Sequence, residues 1–259
     1  MWYLSFLSEL HKRVAPQCYL EIGVRNGRSL ALSSCRSVGI DPAYQITSEL
    51  DADVRLFRTT SDEYFTRSEP LEPTSGQPFD LAFIDGMHLF EFALRDFINT
   101  ERHSRRSSVV VFDDMLPRTV DQAARERHTN AWTGDVYSIV EVLRRYRPEV
   151  ATILVDTDPT GLLVVVGLDP ESTTLVDHYD DIMAEFRKPD PQPVPQTLLE
   201  RVTVQTPRRV LEAGFWGRLE DDRHAGVGAG ERFRARLREQ LEHDFGPAYA
   251  SDLRSRPIG

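Results

Sequence analysis

The stretch Glu21-Ile22-Gly23-Val24-Arg25-Asn26-Gly27-Arg28-Ser29 decides how this chain folds. It follows Cys18 to Ile22, which reads as a short strand, and leads into residues 28–35, which read as a helix. A strand-turn-helix of this kind brings backbone close to a ligand at the carboxyl edge of a sheet. Glycine permits the tight turn. The spacing is G-x-x-x-G, whereas dinucleotide-binding proteins carry G-x-G-x-x-G, so NAD is disfavoured. A glycine turn that only lets a helix pack on its strand is the plainer alternative. Asp41 closes the next strand, Ser37 to Ile40, twenty positions beyond Glu21. An acid there can accept hydrogen bonds from both hydroxyls of a ribose.

Outward from this turn the chain alternates strands and helices. Residues 1–14 form an amphipathic helix with Tyr3, Phe6, Leu7, Leu10 and Val14 on one face, and Pro16 stops it. A third strand is expected at Val54 to Thr60 and a buried fourth at Phe79 to Ile84. A helix over 88–102 has Leu89, Phe92, Ala93, Phe97 and Ile98 as its apolar side. Ser108 to Phe112 is the most apolar strand, and Asp135 to Tyr146 is helical. Val150 to Val155 and Leu162 to Leu168 pair as a hairpin around Pro159-Thr160-Gly161. The pattern predicts a Rossmann-like, doubly wound α/β sheet of seven strands. It is mostly parallel, with one antiparallel strand from the terminal hairpin. A Pro-rich segment, 187–199, divides a domain at 1–186 from a C-terminal extension at 187–259. Within the extension, 230–245 is helical with Phe233, Leu237, Leu241 and Phe245 in a stripe, and Gly246-Pro247 ends it. That stripe packs on its own domain, pairs two copies into a homodimer, or serves as a lid.

The chain has 259 residues, with 31 Lys+Arg against 41 Asp+Glu, a net charge of -10. Binding to nucleic acid phosphates would call for a basic excess, so nucleic acid is excluded as a first reading. No apolar run reaches the roughly 18 to 20 residues of a membrane span. The interrupted apolar start is not that of a signal peptide. The two cysteines, Cys18 and Cys35, read as reduced thiols. A cytoplasmic protein without membrane attachment is the expectation.

Two further strand ends carry acids: Asp85 in Ile84-Asp85-Gly86-Met87-His88, and the pair Asp113-Asp114. The strands they end are expected to be neighbours, roughly 4.8 Å apart. Three carboxylates at one edge repel each other unless a cation or proton neutralises them. Oxygen ligands suit Mg²⁺, Ca²⁺ or Mn²⁺. The alternative is that Asp85 and Asp113 merely cap loops or helices, and that His88 opens a helix.

Taken together, these residues resemble the class I S-adenosylmethionine-dependent methyltransferases. The likeness runs over roughly 18–168. In that fold the acid-x-Gly-x-x-x-Gly turn, here Glu21, Gly23, Gly27 and Ser29, holds the methionine part of the cofactor. Asp41 would hold the ribose, Ser61 and Asp62 would lie beside the adenine, and Asp85 would border the cofactor. The run Asp85 to Asp96, with His88, Glu91 and Arg95, looks like the type 24 family, which includes macrocin O-methyltransferase-like enzymes. The resemblance implies Mg²⁺ held by Asp85, Asp113 and Asp114, and His88 as catalytic base next to Asp85. It implies a small-molecule hydroxyl acceptor (a sugar, a natural product or a catechol-like phenol) and S-adenosylhomocysteine as product. Three rivals stay open: a metal-independent O- or N-methyltransferase, a non-catalytic cofactor-binding partner protein, and the disfavoured NAD enzyme.

Other features carry weaker signals. Trp132-Thr133-Gly134-Asp135 either closes over a substrate or starts a helix, with Asp135 or Thr133 as cap and Trp132 as hydrophobic staple. Glu91 either faces solvent or supports His88. Arg118, Arg125 and Arg127 either meet an acidic substrate or are solvated. His11, His103, His128, His178, His224 and His243 read as surface or structural.

Overall fold

The two most apolar runs lie side by side at the centre of a sheet. Phe79–Ile84 is buried throughout, and the last six residues of Ser104–Phe112 are buried. Parallel strands covered on both faces show such continuous runs in place of alternation. The computed structural model describes residues 1–223 and 230–246; His224 and Pro247 lie outside the described residues. Among these, seven strands form one sheet: β1 (Cys18–Ile22), β2 (Arg36–Ile40), β3 (Val54–Phe57), β4 (Phe79–Ile84), β5 (Ser104–Phe112), β6 (Ala151–Val155) and β7 (Leu162–Val166). Their order is β3-β2-β1-β4-β5-β7-β6. Only β7 runs antiparallel to its neighbours, β5 and β6. This is the expected doubly wound, Rossmann-like sheet. The strand order reverses direction between β1 and β4, which makes that junction the switch point where such sheets bind ligands.

Helices α1 (Tyr3–Val14), α2 (Ser61–Phe65), α3 (Phe90–Arg102), α4 (Ile139–Tyr146), α5 (Thr174–Asp177), α6 (Tyr179–Phe186), α7 (Gln196–Leu199), α8 (Pro207–Leu211), α9 (Phe215–Arg223) and α10 (Gly230–Phe245) surround the sheet. One core joins Leu20, Ile22, Ala82, Val110 and Phe112 to Tyr64 of α2, Phe97 of α3, Leu143 of α4 and Ile182 of α6. A second core covers the opposite face. There Phe6 and Leu10 of α1 pack with Phe83, Val109, Val111 and Val164, and so do Phe215, Trp216, Leu237 and Leu241 of α9 and α10. The whole stripe Phe233, Leu237, Leu241 and Phe245 is buried. No helix among the described residues is long and apolar enough to cross a membrane.

Four local expectations need correction. Residues 28–35 form only a single 3-10 turn, Leu30–Leu32, in place of the expected helix. Serine hydroxyls compete with helical bonding here: Ser29 Oγ donates to Glu21 at 2.8 Å, and Ser33 Oγ accepts from Ser37 at 2.8 Å. The third strand ends at Phe57, short of Thr60, because Thr60 caps α2. Its hydroxyl accepts the Glu63 N–H, and the Glu63 carboxylate accepts the Thr60 N–H, each at 3.2 Å. The most apolar strand starts four residues earlier than expected, at Ser104. In α3 the buried face is Phe90, Ala93, Leu94 and Phe97 together with Glu91, Asp96 and Glu101, while Leu89, Phe92 and Ile98 are only half-buried. A hydrophobicity stripe cannot place acids inside. Two of them are paired, Glu91 with Arg125 and Glu101 with the buried Arg147 guanidinium at 2.5 and 2.9 Å, whereas burial pushes Asp96 up to about 7.

Candidate functional site

Parallel register brings the ends of β1, β4 and β5 level: Ile22 pairs with Ile84, and Ile84 with Phe112. The ladder continues one residue further. Asp85 N–H donates to Ile22 O at 2.8 Å, and Asp113 N–H donates to Ile84 O at 3.1 Å. Gly23, Asp85 and Asp113 therefore emerge together at the switch point. Asp114 then turns the chain sharply with a φ of 61°, a region that aspartate tolerates better than most residues.

The turn from β1 is tighter than a ligand-binding argument alone requires. Gly23 has a φ of 91°, and a Cβ on it would lie 1.9 Å from the Asp85 carbonyl oxygen. The glycine thus lets the β1 and β4 turns touch. Gly27, with a φ of 82°, faces the Ile46 side chain. Glu21 is fully buried, accepting the Tyr19 hydroxyl at 2.7 Å and the Ser29 hydroxyl at 2.8 Å. Burial pushes its carboxyl up to about 8, against the pull of those two hydrogen bonds. Asp41 shapes the loop beyond β2, accepting the N–H groups of Arg25 at 2.7 Å and Ala43 at 2.6 Å. Ser61 and Asp62 open α2, and Asp62 grips Arg95 of α3 through contacts of 2.8 to 3.1 Å.

On the other side of Gly23 the acids gather around one imidazole. His88 Nε2 lies 3.5 Å from Asp85 Oδ1, and His88 Nδ1 lies 3.0 Å from Asp114 Oδ2. One donor atom from each of Asp85, His88 and Asp114 falls within 4.8 Å of the others, a spacing that can hold a metal ion. Asp113 adjoins this trio but lies outside it, and its Oδ1 accepts the Asp114 N–H at 2.9 Å. Burial raises Asp85 to about 6, with Asp114 repelling its charge and His88 opposing the rise. Burial and the charges of Asp114 and Asp85 push Asp113 well above the usual carboxylate range. Burial alone would make His88 less basic, but its hydrogen bonds to Asp114 and Asp85 prevail and lift it to about 11. Oxygen donors with one imidazole suit a hard or borderline divalent cation, and the strained carboxylates would gain from one.

Several side chains near this edge have partners that the sequence reading did not identify. Tyr3 of α1 has its ring 6.5 Å from that of Phe83, two residues before Asp85 on the same face. Its phenol is pushed up to about 12 by burial and by Asp113 and Asp85. Sequence spacing marks Tyr3 only as part of a core stripe. Trp132 stacks on His88, with ring centroids 5.0 Å apart and planes within 11°. It is therefore no helix staple. Asp135 does not cap its own helix either; its carboxylate accepts the Phe90 N–H at the start of α3. Glu91 neither faces solvent nor supports His88: it is buried and pairs with Arg125 at 2.6 Å and with Arg187 at 3.1 Å. Arg125 also contacts Asp135 and is thereby committed to internal partners.

Residues 20–115 match the model of a protein family described as a methyltransferase domain. The matched segment contains both the glycine turn and the carboxylate edge. The chain is a methyltransferase. None of the curated proteins matches it. Among solved structures, the O-methyltransferase from Bacillus cereus in complex with SAH is 18% identical. It matches over 63% of this chain and 80% of its own, with a TM-score of 0.44. The SAH-bound methyltransferase PaMTH1 of Podospora anserina is 13% identical over 64% of this chain and 78% of its own, with a TM-score of 0.43. The O-methyltransferase TomG from Streptomyces achromogenes, involved in tomaymycin synthesis and in complex with SAM, is 20% identical. It matches over 64% of this chain and 80% of its own, with a TM-score of 0.42.

Proposed function

We propose that the chain transfers a methyl group from S-adenosylmethionine to a hydroxyl oxygen of a small molecule, releasing S-adenosylhomocysteine. A sugar, a natural product or a catechol-like phenol fits as acceptor. The observation that carries this reading is the convergence of Asp85, His88 and Asp114 beside the Gly23 turn of a methyltransferase domain. Asp85 and Asp114, with Asp113 beside them, are the residues to hold Mg²⁺ or a similar cation. When bound, the cation lowers the pKa of the acceptor hydroxyl and the cofactor supplies a methyl group activated as a sulfonium. The chain's own residues do the rest. The turn at Gly23 and the carboxylates of Asp41 and Asp62 border the cofactor. The edge at Asp85 orients the hydroxyl, and His88, once it has given up the proton that Asp114 and Asp85 stabilise on it, accepts the hydroxyl proton at Nε2. Holding donor and acceptor in line supplies most of the acceleration.

A second reading has its own observation. The His88 imidazolium already stands between Asp85 and Asp114 and can neutralise them without a metal. Methyl transfer to oxygen or nitrogen would then need no cation. Transfer of labelled methyl groups to a panel of hydroxyl and amine acceptors, before and after exhaustive chelation, separates the two. Activity lost on chelation and restored by Mg²⁺ supports the first reading. Activity that survives supports the second. Failure of the protein to bind S-adenosylhomocysteine in calorimetry overturns both.

A further inference from the structure

We propose that Trp132 is a positioning residue for His88, fixing the imidazole plane so that its Nε2 edge points toward Asp85. The inference rests on the reading above, in which His88 works at the reacting centre. Two contacts define the role. The indole stacks on the imidazole with centroids 5.0 Å apart and planes within 11°. The Trp132 carbonyl lies 3.2 Å from His88 Nδ1. A carbonyl only accepts, so Nδ1 donates to it. Asp114, 3.0 Å from the same nitrogen, faces it as an ion-pair partner. Both partners require the proton on Nδ1. Nε2, on the opposite edge of the ring, lies 3.5 Å from Asp85 Oδ1.

The indole can hold a plane because it is itself held. Its Nε1 donates to Ala124 O at 2.6 Å. The N–H groups of Thr133 and Gly134 donate to Gln122 O at 2.9 and 3.2 Å. The strap formed by residues 122–135, after β5, then touches the His88 main chain. A Cβ on Gly134, whose φ is 61°, would lie 1.6 Å from the His88 carbonyl oxygen. Only glycine lets the strap come this close, so Trp132 and the His88 backbone are placed by one junction. Partners that orient a working histidine from outside the reacting centre typically matter by about tenfold to a hundredfold.

The test uses the full chain with Trp132→Leu, which keeps the carbonyl and removes the ring, and Trp132→Phe, which keeps a ring. The Cε1 proton of His88, assigned by its loss in His88→Gln, is expected upfield of an exposed histidine through the indole ring current. It should move back downfield in Trp132→Leu and stay mostly upfield in Trp132→Phe. In Trp132→Leu kcat should fall about tenfold or more, with affinity for S-adenosylhomocysteine unchanged, and Trp132→Phe should recover most of the loss. An unshifted His88 signal in the native protein overturns the proposal, and so does a native kcat in Trp132→Leu. If no acceptor is methylated, the reading of function fails, while the His88 signal still decides the role of Trp132.

Discussion

The Asp135 carboxylate accepts the backbone N–H of Phe90 at 2.7 Å, across a separation of 45 residues. Phe90 opens α3, and the residue before it, Leu89, has no side-chain group to cap the helix. The first N–H groups of a helix lack internal partners, and here the strap after β5 supplies one from a distance. Asp135 is itself fully buried and also receives Arg125. Replacing Asp135 with Leu leaves both donors short of a partner and is expected to cost about 2 to 3 kcal/mol. Asp135→Asn keeps an acceptor for Phe90 and should cost less. Urea unfolding midpoints of the two variants check the order.

His88 should be separable from cofactor binding, because its hydrogen bonds go to Asp85, Asp114 and the Trp132 carbonyl. His88→Ala is expected to lower kcat about a hundredfold or more, as loss of a general base does. Calorimetric affinity for S-adenosylhomocysteine should stay within about twofold of native. Native turnover with weakened cofactor binding would contradict the role assigned to His88.

Gly23 and Gly76 share a positive φ, 91° and 76°, but they differ in what a side chain would meet. A Cβ on Gly23 would stand 1.9 Å from the Asp85 carbonyl oxygen, whereas one on Gly76 would meet nothing within 4 Å. Gly76→Ala is expected to cost roughly 1 kcal/mol, the local backbone penalty. Gly23→Ala adds a clash between two strand ends and is expected to cost roughly 3 kcal/mol. Chemical denaturation of the pair measures the difference.

His11 gives the fold an acid-sensitive point. Burial lowers it from 6.5 to about 4, and its Nε2 has no hydrogen-bond partner. The unfolded chain therefore takes up the proton more readily than the folded one. This stabilising contribution is complete above pH 6.5 and is lost as pH falls toward 4, to a limit of about 3 kcal/mol. His11→Phe keeps a ring against Tyr19, 4.7 Å away in the native protein. It should flatten stability between those pH values relative to the native chain. Equal slopes for both proteins would remove His11 as the cause.

What can be read from sequence is whatever the backbone register alone determines. Apolar runs place Asp41, Asp85, Asp113 and Asp114 at strand ends, and parallel pairing then sets Asp85 and Asp113 side by side. The contacts made by folding across long separations are not legible. His88 and Trp132 are 44 positions apart, and no local pattern announces that their rings meet. Nor does periodicity show that Glu91 and Glu101 lie inside, since their burial depends on Arg125 and Arg147 arriving from other segments. The missing helix after Gly27 is hidden for another reason. Serines read as neutral helix residues, yet Ser29 and Ser33 turn their hydroxyls to Glu21 and Ser37.

The second core also sets an order of assembly. Val109, Val111 and Val164 of the central strands are covered by Phe215, Trp216, Leu237 and Leu241, which emerge from the ribosome long after those strands. Until they arrive, a nascent chain leaves uncovered the part of that apolar face that α1 does not reach. That interval is when chaperones would be needed most, and a chain stopped at residue 186 would remain in it.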